Sequence, residues 1–69
     1  MQTGTVVGWN DQRGYGFVRP SDGGGADIFI HRLDIKNAIM LSQGQTVSFD
    51  VIFDERKGKP RATELRVTL

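Results

Sequence analysis

Cysteine is absent from this chain of 69 residues, so no disulfide and no thiolate metal site can reinforce its fold. That absence fits a reducing compartment. Long apolar runs are missing too: nothing approaches the roughly 18 residues that a membrane-crossing helix requires, and Met1-Gln2-Thr3-Gly4 lacks the basic and apolar regions of a secretory signal. A soluble, cytoplasmic protein with no membrane partner is the default expectation. Charge of one sign is also lacking, since nine Lys and Arg stand against eight Asp and Glu for a formal +1. Bulk charge therefore does not announce a polyanionic partner. Catalytic sets are missing as well. His31 is the only histidine, so there is no second ligand for zinc. Ser21, Ser42 and Ser48 have no nucleophile-elbow motif around them, and no carboxylate pair suggests acid and base roles. The run Gly23-Gly24-Gly25 lacks the lysine and following helix of a phosphate-binding loop and reads as a flexible turn. No enzyme activity, cofactor or small-molecule substrate is expected.

What the chain does contain is short runs rich in Val, Ile, Phe and Thr between clusters of Gly, Asp and Pro. No segment of about ten residues sustains a helical period, so the pattern predicts an all-β domain. Strands are expected over about Gln2–Asn10, Tyr15–Arg19, Asp27–His31, Gln45–Phe53 and Arg61–Thr68. The links Asn10–Gly14 and Ser21–Gly25 carry turn-forming residues, so the first three strands should form a meander. Between the third and fourth strands, Arg32–Met40 holds the only candidate for a helical turn, with Leu33, Ile35, Ile39 and Leu41 available to cap an open end of the sheet. Five short antiparallel strands usually curl into a small barrel, which removes exposed edges. A single OB-fold barrel over residues 1–69 is the expected architecture.

The most informative segment is Arg13-Gly14-Tyr15-Gly16-Phe17-Val18. Alternation on a strand puts Tyr15 and Phe17 on one face and Gly16 and Val18 on the other. In the third strand Ile28 and Ile30 suit the interior, leaving Phe29 and His31 outside. With the meander in register, Tyr15, Phe17, Phe29 and His31 form one outer patch, which Trp9 joins if the first strand alternates strictly from an inward Val6. Val6, Val18, Ile28, Ile30, Val47, Phe49, Val51, Phe53, Leu65 and Val67 then supply the core, with Phe49 and Phe53 assigned to packing. A contiguous exposed aromatic patch calls for a ligand, and flat rings favour nucleobases. Arg13, Arg19 and Arg32 stand nearby for phosphate contacts. So does a basic run of Arg56, Lys57, Lys59, Arg61 and Arg66, while Asn10, Gln12 and Asp27 can address base edges. The expected partners are single-stranded RNA and DNA, bound by a monomer with modest sequence preference.

With those residues in hand, the chain resembles the bacterial cold-shock domain family over nearly its whole length. Arg13–Val18 is similar to the family's first ribonucleoprotein motif, Lys-Gly-Phe-Gly-Phe-Ile or Val. Ile28-Phe29-Ile30-His31 is similar to the second, Val-Phe-Val-His-Phe. Asn10-Asp11, Asp22-Gly23, Gly44-Gln45 with Val47 and Phe49, and Lys57-Gly58 followed by Pro60 and Ala62 agree as well. The resemblance implies a five-stranded OB barrel that binds single-stranded nucleic acid, often as an RNA chaperone. It implies stacking by Tyr15, Phe17, Phe29 and His31 and polar contacts from Asn10, Arg13, Asp27 and Lys57.

Several positions depart from that pattern. Where the family usually has Lys-Trp-Phe-Asn, this chain has Val7-Gly8-Trp9-Asn10, and Arg32 stands where the second motif ends in phenylalanine. The loop from Leu33 to Leu41 is shorter than usual and lacks its phenylalanine. An RNA-recognition motif would also accommodate the hexamer, but it needs two long helices and places its second motif upstream of the first. A protein-docking barrel, or the nucleic-acid-binding first domain of a longer protein, are the other readings.

Overall fold

The computed structural model describes residues 1–22 and 26–68, so the turn expected at Gly23–Gly25 lies outside the described residues. Five strands form: β1 Gln2–Asn10, β2 Tyr15–Pro20, β3 Ile28–His31, β4 Thr46–Asp54 and β5 Lys59–Val67. They close into a barrel in the order β1-β2-β3-β5-β4, with β4 returning to β1. The expected all-β barrel is the observed one, with strand ends moved by one or two residues.

One part of the expected pairing differs. A ring with an odd number of strands cannot alternate direction all the way round, so at least one neighbouring pair must run parallel. Here that pair is β3 and β5, where Phe29 lies beside Arg61. The four other interfaces are antiparallel.

Val6, Val18, Ile28, Ile30, Val47, Phe49 and Leu65 fill the interior as alternation requires, joined by Ala62 and, from the long connection, Ile35 and Leu41. Val51 and Val67 pack half-buried against this cluster. Each large aliphatic or aromatic side chain removed from water contributes about 1.5–3 kcal/mol, so these few residues dominate the stability of a small barrel. Phe53, assigned to packing, is instead 63% exposed. It has the inward parity of Phe49 and Val51, but it pairs with Pro60 on the β4–β5 hairpin beyond Val51 and buried Ala62, where there is no interior left to face.

The helical turn expected within Arg32–Met40 shrinks to a three-residue 3-10 turn, Arg32–Asp34. His31 starts it by accepting the Leu33 amide on Nδ1 at 3.2 Å. Ile35 ends it by going extended and bridging to Leu65 in parallel. Ile35 and Leu41 therefore cap the barrel end, whereas Leu33 and Ile39 stay in solvent.

Candidate nucleic-acid interface

β2 and β3 pair so that Tyr15 faces His31 and Phe17 faces Phe29. Directly opposed residues share a face, so all four rings lie on the outside while Gly16, Val18, Ile28 and Ile30 line the inside. Phe29 makes the central contacts: its ring centroid is 5.7 Å from Tyr15, 5.9 Å from Phe17 and 6.5 Å from His31. Tyr15 and Phe17 meet edge to face at 84° and 6.4 Å, as do Phe17 and Phe29 at 75°. Such contacts stabilise each pair by about 0.5–1.5 kcal/mol beyond burial, which holds the rings in a fixed relief. Phe17 remains 40% exposed, so a broad ring surface meets solvent.

Trp9 does not join them. Register slips between Val6 and Gly8, so Gly8 comes opposite Phe17 and Trp9 opposite Gly16. One extra residue in a strand reverses every face beyond it. Trp9 therefore turns to the inward side and packs against the core, with its Nε1 buried and without a hydrogen-bond partner. Gly16 makes this approach feasible, because an added Cβ would lie 2.7 Å from Trp9 Cε3 and 2.3 Å from the Gly8 carbonyl oxygen.

Barrel closure supplies cations that strand alternation alone does not reveal. The Lys57 ammonium sits 4.9 Å from the centre of the Phe29 ring, within cation–π range. Phe17, Phe29, Asp54, Lys57, Lys59, Pro60 and Arg61 line a cleft of about 200 Å³. Lys59 is visible in the sequence only as part of the basic run, and Pro60 not as a site residue, because only the parallel β3–β5 contact brings the hairpin against Phe29.

The remaining candidates are partly committed to the protein itself. Asn10 Oδ1 accepts the Arg13 amide at 3.1 Å, which stabilises the β1–β2 turn and leaves the side-chain amide nitrogen to address a base. In that turn Gly14 adopts φ +73°, a left-handed conformation suited to glycine. The Arg32 guanidinium lies across Gly14 and donates to the Asp11 carboxylate at 2.9 Å and to the Asp11 carbonyl, clamping the same turn. Asp27 holds Arg19 at 3.1 Å. Arg61 lies between Asp34 at 3.6 Å and Asp54 at 3.8 Å. Arg13, Arg56, Lys57 and Lys59 are exposed. His31 uses Nδ1 as an acceptor, so its neutral ring carries the proton on Nε2.

A closed five-stranded barrel with an aromatic outer face and cations at its rim defines an OB-fold binding domain. The chain matches the family described as the 'Cold-shock' DNA-binding domain over residues 2–68, and it belongs to that family of nucleic-acid-binding domains. It is 40% identical over 68 residues to cold shock protein CspA of Rhizobium meliloti, covering 96% of this chain and 97% of that protein. The probable cold shock protein y4cH of Sinorhizobium fredii is 38% identical over the same shares. Among solved structures, drosophila Unr CSD456 superposes with a TM-score of 0.78 over 99% of this chain and 26% of its own. At 22% identity that likeness speaks for the fold alone.

Proposed function

We propose that residues 1–69 act as a single, monomeric cytoplasmic domain that binds single-stranded RNA and DNA by stacking bases on Tyr15, Phe17, Phe29 and His31. It needs no cofactor and performs no catalysis, and the same stacking serves an RNA chaperone or a cold-shock regulator of transcription or translation. The observation that carries this reading is Phe29, in contact with three other rings and lying 4.9 Å beneath the Lys57 ammonium. A nucleotide laid there meets a π face and a positive charge together. Stacking tolerates any base, so sequence preference should be weak.

Salt dependence tests the reading. With Arg19, Arg32 and Arg61 paired to carboxylates, phosphate contacts fall to Arg13 and the hairpin cations. About three neutralised phosphates give a log–log slope of about −2, or a loss of about 16-fold in affinity between about 50 and 200 mM salt. Fluorescence anisotropy of a labelled oligothymidine measures it. A flat response would mean that these cations neutralise no phosphate, and no binding of the oligomer at any salt would favour docking of a protein instead. Opening of a molecular-beacon hairpin by the protein without ATP identifies chaperoning, and binding of single strands without opening removes it.

Gly8 offers a second handle. It sits opposite Phe17 on the outer face, and an added Cβ there meets nothing within 4 Å. Gly8→Trp should therefore add a ring beside Phe17 without disturbing the fold, raising oligothymidine affinity about tenfold, as one extra stacking platform would. Unchanged affinity in a folded variant would place the bound strand away from this edge.

A further inference from the structure

Ile52 and Phe53 are exposed apolar side chains that the stacking patch does not use. Across the outer face the paired residues run Gly8, Phe17, Phe29, Arg61 and Ile52, one on each strand. Phe53 follows Ile52 on β4, opposite Pro60. At one end of the row glycine leaves no ring; at the other, past Arg61, Ile52 stands in solvent, and Phe53, although of inward parity, is exposed next to it where the hairpin runs beyond the core.

A second cleft of about 500 Å³ opens at this end, lined by Ile52, Phe53, Asp54, Glu55, Arg56, Lys57 and Arg61. That volume lies within the roughly 300–1,000 Å³ of ligand clefts. Lys57, Arg61 and Asp54 border both this cleft and the smaller one at Phe17 and Phe29, so the two adjoin. Asp54 does not repel an anion strongly here. Its Oδ1 accepts the amides of Arg56 and Lys57 at 3.0 and 3.2 Å, and its Oδ2 lies 3.8 Å from Arg61.

Resting on the single-strand reading above, we propose that the bound strand continues past Phe29 over Arg61 into this cleft, where Phe53 is a further base platform and Arg56 and Lys57 hold the flanking phosphates. The footprint thereby reaches the β4–β5 hairpin in addition to the four-ring patch. Sites on OB folds span about 4–16 nucleotides, so four clustered rings leave room for such an extension.

Labelled oligothymidines of about three and about eight nucleotides separate the two parts of the site. Phe53→Ala should leave the short oligomer's affinity unchanged and weaken the long one about tenfold, the loss expected of one platform, while Phe53→Trp retains it. In the unmodified protein, Phe53 ring signals in NMR spectra should shift with the long oligomer and stay fixed with the short one. Equal affinities of Phe53→Ala and the parent at both lengths, or Phe53 signals unmoved by the long oligomer, overturn the extension alone. A parent protein that binds neither oligomer overturns the single-strand reading and the extension with it.

Discussion

Replacing Phe17 and Phe29 together by alanine should abolish measurable oligothymidine binding and leave the barrel folded. Each stacked base contributes roughly 1–3 kcal/mol, so losing two platforms costs about 2–6 kcal/mol, or about 30-fold to 10⁴-fold in affinity. Phe29→Ala alone should cost more than Phe17→Ala alone. Phe29 touches three other rings and lies beneath Lys57, so its removal also frees its neighbours to tilt and releases that cation. Neither ring belongs to the buried cluster, which lies on the opposite side of both strands. Anisotropy titration reports the binding and a circular-dichroism melt reports the fold. Unchanged binding by the folded double variant would overturn the site assignment.

Gly16→Ala should unfold the protein or nearly so, although it adds a single methyl group. The new Cβ would sit 2.3 Å from the Gly8 carbonyl oxygen, 2.7 Å from Trp9 Cε3 and 3.0 Å from Trp9 Cα. Two of those atoms are backbone, held by the β1–β2 pairing, so relief requires the strands to part. Overpacking typically costs about 1–3 kcal/mol and sometimes more, and the rigid partners here put the cost at about 3 kcal/mol or above. At roughly 0.05–0.15 kcal/mol per residue, a chain of 69 residues has only about 3–10 kcal/mol in total. A melting point lower by about 12–24 °C, or no transition at all, is the expected outcome. Gly8→Ala is the matched control on the facing strand, since its Cβ meets nothing within 4 Å and its melt should barely move. Equal melts for the two variants would show that the β1–β2 pairing yields easily.

The sequence made β1 to β5 and the four-ring patch legible because alternation in Tyr15–Val18 and Ile28–His31 is strict, and because the two runs pair without a slip. Trp9 was misplaced because a bulge changes no composition. The slip after Val6 depends on how β1 meets β2, with Gly8 opposite Phe17 and Trp9 seated over Gly16. Phe53 was misplaced for a different reason: its parity is inward, but parity says nothing about where the barrel ends along β4. The cations at Phe29 were visible only as a basic run. Their position against the aromatic face follows from the parallel β3–β5 contact, which joins residues far apart in the chain. Arg19, Arg32 and Arg61 looked available for phosphate, yet their carboxylate partners could be identified only from the folded chain.

That parallel contact also bears on the order in which the molecule assembles. The β1–β2–β3 meander brings the rings together through near neighbours in the chain, whereas shutting the ring of strands needs two distant pairings, Phe29 with Arg61 and Gln2 with Phe49. A nucleotide stacked on Phe29 with its phosphate at Lys57 would straddle the β3–β5 seam. It would act as a clasp on the barrel, so protection of the β3–β5 amides from hydrogen exchange and occupancy of the groove would rise and fall together.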